Sequence, residues 1–467
     1  MATAATQAPQ GSSRGSAKSG PGISIIIFSS LMLFSMFFGA GNLIFPPMLG
    51  VQSGENFWPA ILGFVGSGVI LPVLAIIAIA ISGHSVRDLA ARGGAIFGLV
   101  FSLLAYLSIG AFYALPRTAA VSFETAITPI LGFEGTAANW VFCLIFFGVA
   151  LALAWRPTTI MDTLGRILTP ALTILLVILV ISAITGFDAQ NLTASEEYSE
   201  SAFTTGLLEG YLTMDSIAGL AFGIVIISTL RTRGFSEGGQ LVRGTITTGI
   251  IAGAFLAVIY IGLGYIGQML PGAADHDSGA AILSAAAESA LGTPGQIIWA
   301  FIVLLACMTT AVGLISSTSE FFCTLTPQMG YRTWAIIFTL ISLVLAAQGL
   351  DFVLNIAVPI IIFLYPPAIT LIFLTLIEPI FAGKLKFYFT FRLGLWTAVV
   401  WSAIMVAVSQ GAEGLEPIIG WTPLHGVNLG WLLPVIVAVI IGVILDMSKP
   451  RKASEQAPVR QEAVHEA

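Results

Sequence analysis

Twelve long apolar runs, separated by short loops that hold most of the charges, organise this chain. They lie near residues 24–49, 58–82, 96–130, 139–155, 162–186, 206–230, 244–267, 295–322, 332–350, 352–377, 393–411 and 429–447. A continuous apolar run of about 18 or more residues is long enough to cross a bilayer as a helix. The runs do not alternate at every second residue, so β-barrel strands are excluded. Hydrophobic residues make up 57% of the sequence and charged residues 9%. A soluble domain carries roughly 25% charged residues, so most of this surface must face lipid. The fold class expected is therefore an all-α polytopic membrane protein with about twelve transmembrane helices.

The basic residues give an orientation. If the N-terminus is placed in the cytoplasm, Arg14, Lys18, Arg87, Arg92, Arg156, Arg166, Arg231, Arg233, Arg243, Arg332, Lys384, Lys386, Arg392, Lys449, Arg451, Lys452 and Arg460 all fall on the inner side. Retention of positive charge inside predicts this pattern. A single miscounted span would swap every later loop, so an even count with both termini cytoplasmic follows. Residues 1–22 read as a disordered N-terminal tail and 448–467 as a C-terminal one, flanking one transmembrane domain over 23–447. Among the outer loops, 268–294 has an alanine-rich stretch at 280–291 that predicts a short interfacial helix.

Several function classes drop out. Cys143, Cys307 and Cys323 are odd in number and lie in apolar runs, which argues against a disulfide framework. His84, His276, His425 and His465 fall in loops or the tail, so neither a histidine metal site nor an intramembrane histidine relay is expected. No phosphate-binding loop of the G-x-x-x-x-G-K-[ST] type is present. Nothing supports nucleic-acid binding. An intramembrane enzyme would need a converging set of His, Cys or acidic residues in its spans, whereas the acids here are scattered.

Two spans contain helix-breaking sequence. Span one carries Gly39-Ala-Gly-Asn-Leu-Ile-Phe-Pro-Pro47, in which the glycines ease departure from helical geometry and the prolines donate no amide proton. Span six carries Glu209-Gly-Tyr-Leu-Thr-Met-Asp-Ser-Ile-Ala-Gly219, with Asp215 near mid-depth. An intramembrane carboxylate is expensive unless paired, protonated or hydrated, and marks a functional site by default. A simple proline kink in span one, and an Asp215 satisfied by backbone or by Arg117, are the competing accounts. Broken helices five spans apart fit an inverted repeat of five helices, with repeat one at 23–186, repeat two at 206–377 and two extra helices at 393–447. Pro359, Pro366 and Pro367 predict a further kink in span ten.

The strings FFGAGNLIFPPMLG at 37–50, LSIGAFYALPRTAAVSFE at 107–124 and EGYLTMDSIAGLAFGIVI at 209–226 resemble the bacterial branched-chain amino-acid carriers, the LIVCS family. The likeness runs from about residue 23 to 447. It implies sodium-coupled import of leucine, isoleucine and valine through the bacterial plasma membrane, on a LeuT-type fold of the amino acid–polyamine–organocation superfamily, with no cofactor beyond the coupling ion. At fold level, Gly39-Ala40-Gly41-Asn42 is similar to the unwound point of helix 1 in sodium symporters, which makes the carbonyls of Ser35 and Phe38 sodium ligands. Ala306, Thr309 and Thr310 match the helix-8 half of that site, with back-bonding of the two threonines to their own helix as the competing account. Only three residues separate Asn42 from Pro46, one fewer than in those symporters.

An amino acid needs partners for its carboxylate, its ammonium and its side chain. Amides near Gly39 to Gly41 can take the carboxylate. Carbonyls around Tyr211 to Asp215, those of Thr213 and Met214 included, can take the ammonium with charge attraction from Asp215, and Ser216 joins the substrate-binding set. Tyr106 or Tyr113 donates a hydroxyl to the carboxylate, or either simply packs. Phe37, Phe38, Ala218 and Phe222 are walls for the aliphatic side chain, and one methylene in such a pocket discriminates by only about 1–3 kcal/mol. Arg117 and Glu124 share a face of span three, and the buried arginine is expected to pair with Glu124, Asp215 or Glu320 as a structural or gating ion pair, with direct substrate contact the competing role. The alternative within transport is a proton-coupled carrier, with Asp215 or Glu320 carrying the proton. Outside it, a channel is the competitor.

Overall fold

Backbone groups in hydrocarbon must be hydrogen-bonded within the chain, which leaves helix as the default for lipid-facing polypeptide. The computed structural model describes residues 22–448 apart from 83–84, 134, 157–165, 189, 237, 277 and 382–384, and among these residues it contains helices, turns and no strand. The two expected tails, except for Gly22 and Ser448, and His84, His465 and Lys384 lie outside the described residues.

Span one is two helices, α1 (Ile23–Phe37) and α2 (Ala40–Ser53). Span two is α3 (Phe57–Val65) and α4 (Leu71–Ser82), joined by a π-helical turn at Gly66–Ile70. After the short α5 (Val86–Ala90), span three comprises α6 (Ala95–Leu107), α7 (Ala114–Ser122) and α8 (Thr128–Leu131). Spans four and five are α9 (Thr136–Ala154) and α10 (Thr169–Gly186). Span six is broken into α11 (Glu196–Tyr211) and α12 (Asp215–Thr232), and span seven is α13 (Gly239–Met269). The helix α14 (Gly279–Leu291) precedes spans eight to ten, which are α15 (Thr293–Leu325), α16 (Tyr331–Ala346) and α17 (Leu350–Ile377). The last two are α18 (Phe389–Ser409) and α20 (Leu432–Ser448), with α19 (Glu416–Ile419) between them.

By length and apolarity alone, nine helical stretches among the described residues qualify as spans, or ten if the bent pair Tyr331–Ala346 and Leu350–Ile356 counts as one. The difference from twelve is physical. At a rise of about 1.5 Å per residue, α1 and α2 are each only about 21–23 Å long, so neither crosses a core of about 30 Å alone. One qualifying stretch, Ala40–Ser82, holds 43 residues and so contains both α2 and the whole of span two. The break between them falls at Gly54, whose φ is +49°.

The packing repeats itself. Span one packs on span seven through α1 and α13 and through α2 and α13, and span six packs on span two through α12 and α4 and through α11 and α3. Span three meets span eight, and spans four and nine meet each other. That is the exchange an inverted five-helix repeat produces. Both half-helix contacts rely on absent side chains. A Cβ at Gly206 would sit 1.9 Å from the Ala60 carbonyl oxygen, and one at Gly50 would sit 2.0 Å from that of Gly264. Small residues let helix backbones approach in lipid, where no hydrophobic force drives helices together.

The structure locates three of the expected features. Pro46 and Pro47 lie inside α2 rather than at the break, which is at Phe38–Gly39. Pro359, Pro366 and Pro367 all fall inside one helix, α17. The alanine-rich stretch forms the expected short helix, α14, which packs on α2 and α15 with Ile282, Leu283, Ala286 and Ala287 fully buried. Asp446 is a buried in-span carboxylate not singled out from sequence. It accepts from the amides of Tyr388 at 2.9 Å, Phe389 at 2.9 Å and Thr390 at 3.0 Å and from the Thr390 hydroxyl at 2.8 Å, and thus caps α18 from α20. Asp446→Ala is expected to remove about 1–3 kcal/mol of stability, seen as a lower melting midpoint in detergent. An unchanged midpoint contradicts this role.

Candidate functional site

A continuous helix would spend the amide of residue 39 on the carbonyl of Ser35. Here Gly39 leaves helical geometry, with φ −124° and ψ −158°, and its amide donates to Asn42 Oδ1 at 3.1 Å. The Ser35 carbonyl is thereby freed. It accepts from Thr309 Oγ1 at 2.9 Å and Thr310 Oγ1 at 3.3 Å, both on α15, while Thr309 also reaches its own Ala306 carbonyl at 2.9 Å. Four neutral oxygens, those of Ser35, Ala306, Thr309 and Thr310, therefore cluster in a buried place. A methyl on Gly39 would lie 2.7 Å from Thr310 Oγ1, so only glycine lets α15 come this close. Among the described residues no group of three or more His, Cys, Asp or Glu side chains assembles. Neutral oxygens suit a hard monovalent cation that must also leave.

The second break is at Leu212–Met214, and Met214 takes φ +64°, which a non-glycine residue seldom adopts. It turns the chain so that Asp215 opens α12 at the positive end of a helix. Asp215 Oδ2 accepts from Asn42 Nδ2 at 2.6 Å and from the Tyr260 hydroxyl at 2.9 Å, and Asn42 Nδ2 also contacts the Tyr260 oxygen. One carboxylate so joins both broken helices to α13. Tyr260 was not identified from sequence, being one buried aromatic in a 31-residue apolar helix.

Span three has an irregularity of its own facing these breaks. Pro116 has no amide for the Phe112 carbonyl, and the chain answers with a π-helical turn at Ser108–Phe112, closed by the Tyr113 amide on the Ser108 carbonyl at 3.0 Å. Arg117 follows one turn later. Its expected ion pair does not form among the described residues. The guanidinium instead donates to the Tyr113 hydroxyl, to the Leu212 carbonyl at 3.3 Å and to the Thr213 carbonyl at 3.3 Å, and lies 4.4 Å from the Tyr113 ring centroid. Glu124 accepts from the Leu350 amide at 3.2 Å.

A small central cavity of about 20 Å³ lies where spans one, three, six and eight meet. Gly39, Ala40, Asn42, Arg117, Thr213, Met214, Asp215 and Thr310 line it, together with the apolar walls Met36, Phe37, Ala218, Phe222 and Leu314. Several expected contributors stand elsewhere. Tyr106 stacks on Phe321 at 3.9 Å, Phe38 stacks on Phe34 at 5.4 Å, and Ser216 donates to the Ser67 carbonyl at 3.3 Å. Gly41 packs under the guanidinium, and Glu320 sits near the far end of α15. Tyr211 packs tilted against Tyr365, ring centroids 4.8 Å apart, and lines a larger cavity of about 470 Å³, bounded by α11, α17 and residues 426–431 and carrying Glu197, Glu200 and Glu209.

Two discontinuous helices, crossing at a buried cavity with oxygen-rich ends, are the hallmark of secondary carriers of this architecture. The sequence matches the family described as "Branched-chain amino acid transport protein" over residues 23–449. It is 52% identical over 424 residues to the branched-chain amino acid permease BrnQ of Corynebacterium glutamicum, covering 91% of this chain and 96% of that one. It is 37% identical over 432 residues to the branched-chain amino acid transport system 2 carrier protein of Pseudomonas aeruginosa, covering 90% and 96%. In fold it is similar to a nucleobase-cation-symport-1 family transporter in a closed conformation with bromovinylhydantoin bound, at a TM-score of 0.58 and 15% identity over 90% of this chain and 91% of that one. The chain belongs to the branched-chain amino acid transport protein family and is a multi-pass membrane carrier.

The Asn42–Asp215–Tyr260 cluster carries a stability expectation. Tyr260→Phe leaves the carboxylate one donor short, a loss of about 1–3 kcal/mol. Asn42→Ala also opens the turn at Gly39 and should cost more. Melting midpoints in detergent should fall in the order wild type, Tyr260→Phe, Asn42→Ala, and the reverse order of the two variants contradicts the assignment.

Proposed function

We propose that this carrier imports leucine, isoleucine and valine across the bacterial plasma membrane, coupled to sodium, by alternating access, with both termini in the cytoplasm. The single observation that carries the sodium assignment is the freed Ser35 carbonyl beside the hydroxyls of Thr309 and Thr310. A sodium ion held by Ser35, Phe38, Ala306, Thr309 and Thr310 would tie α1 to α15 across the break. Thr310 also lines the central cavity, so the ion and the substrate would share a residue. Each ligand would then favour the arrangement the other needs, which is the physical content of coupling.

The substrate class is supported by the named relatives and by the cavity chemistry. Phe37, Phe222, Ala218, Met36 and Leu314 offer an apolar wall, while the polar groups of both breaks face the same space. At about 20 Å³ the cavity has room for about one water, far less than an amino acid needs. Substrate occupancy therefore requires the half-helices to part, as alternating access demands. The larger cavity along α11 lies on the side assigned to the cell exterior by loop charge and would serve as the approach.

Purified protein in liposomes should accumulate radiolabelled leucine under an inward sodium gradient. Equal uptake without sodium, driven by a pH gradient, replaces sodium by the proton and makes Asp215 or Glu320 the carrier group. Thr309→Ala should weaken sodium stimulation by about tenfold or more, within the range of typical coupling energies. Thr309→Ser should restore most of it.

A further inference from the structure

Arg117 is only 4% exposed, is buried within a span, and has no carboxylate partner among the described residues. Its acceptors are one phenol oxygen and two carbonyls, each carbonyl at 3.3 Å, and its Nε–H has no acceptor at all. Its direct contacts are thus all neutral. Asp215, which borders the same cavity, acts on it only through space without a hydrogen-bonded ion pair, so a ligand carboxylate could still make the direct contact.

Its position adds to this. A Cβ on Gly41 would sit 2.7 Å from the Arg117 Nη2, so the guanidinium packs directly on the first turn of α2. The amide end of a helix is itself positive. Two positive features brought together in low dielectric repel each other, unless an anion is drawn between them. Both border the central cavity, and Asp215 borders it too, already held by Asn42 and Tyr260. The cavity thus has a cationic and an anionic group with an apolar wall, which matches the three parts of a zwitterionic α-amino acid.

We propose that Arg117 binds the substrate carboxylate directly, together with the first-turn amides of α2, and that Asp215 faces the ammonium. The helix-6 carbonyls of Leu212 and Thr213, assigned from sequence to the ammonium, instead hold the guanidinium while no substrate is present. Substrate exchanges two 3.3 Å contacts with neutral carbonyls for hydrogen bonds to an ionised carboxylate, which are shorter and stronger. Arg117 is then a specificity residue, excluding amines that lack a carboxylate. This rests on the branched-chain amino-acid reading above.

The test pairs a ligand change with a protein change. Leucine uptake by the wild type checks the underlying reading, and its absence counts against that reading. Competition is then measured with leucinamide, which keeps the ammonium and the isobutyl group but not the carboxylate. Wild type should need about 100-fold more leucinamide than leucine for half-inhibition. In Arg117→Gln the leucine affinity should fall and this ratio should collapse towards one. A purely structural arginine would weaken both ligands alike and leave the ratio near its wild-type value, and that result overturns the proposal, as does a wild type that does not discriminate. If Arg117→Gln does not fold, Gly41→Ala, which displaces the guanidinium, is measured in the same way. A ratio that collapses there supports the proposal, and a ratio that stays at the wild-type value overturns it.

Discussion

Hydrocarbon offers no hydrogen bonds, so every backbone group released by a broken helix must find a partner inside the protein. That demand shapes the centre of this molecule. Releasing the Ser35 carbonyl draws α15 to α1 through two threonine hydroxyls, and the amide that would have satisfied it closes a turn on Asn42. The same asparagine reaches Asp215 and thereby the second break. Neither break is independent of the other. The site is what the two interruptions make when they satisfy each other.

Charge is used sparingly there. Arg117 and Asp215 border one small cavity, yet each is met by neutral groups. A direct ion pair would bind the halves together and leave a zwitterionic ligand little to gain. Neutral partners keep both charges buried but replaceable, as a carrier must be able to take and release its cargo. The close glycine contacts at Gly50 and Gly206 work in the same direction, since they fit half-helices against spans seven and two by shape, without charged side chains to lock them.

Much of this was legible in the sequence. Gly39, Gly41 and Asn42 mark the first interruption because glycine and a short amide in an apolar run have few other uses, and Asp215 marks the second because its burial is costly. The extent of the interruptions was less legible. Prolines inside a run remove one backbone bond each, and whether the helix continues depends on neighbours that sequence does not name. So α2 and α17 run through their prolines, and the break lies before Pro46 rather than at it. The partners across the bundle were the least visible. Tyr260 looks like any aromatic in a buried helix, and the spacing of Arg117 and Glu124 reports a shared face on one helix but not the groups that other helices bring to it. Tyr106 was a reasonable hydroxyl by position in span three, yet its ring is spent on Phe321.

We propose that ion and amino acid meet at one small junction between the two breaks, so that each stabilises the arrangement the other requires. Equilibrium binding reads this directly, without a gradient or a membrane. Leucine affinity of the purified protein should be about tenfold or more tighter in sodium than in choline, with sodium affinity raised by the same factor when leucine is present. A leucine affinity that is identical in sodium and in choline contradicts the account.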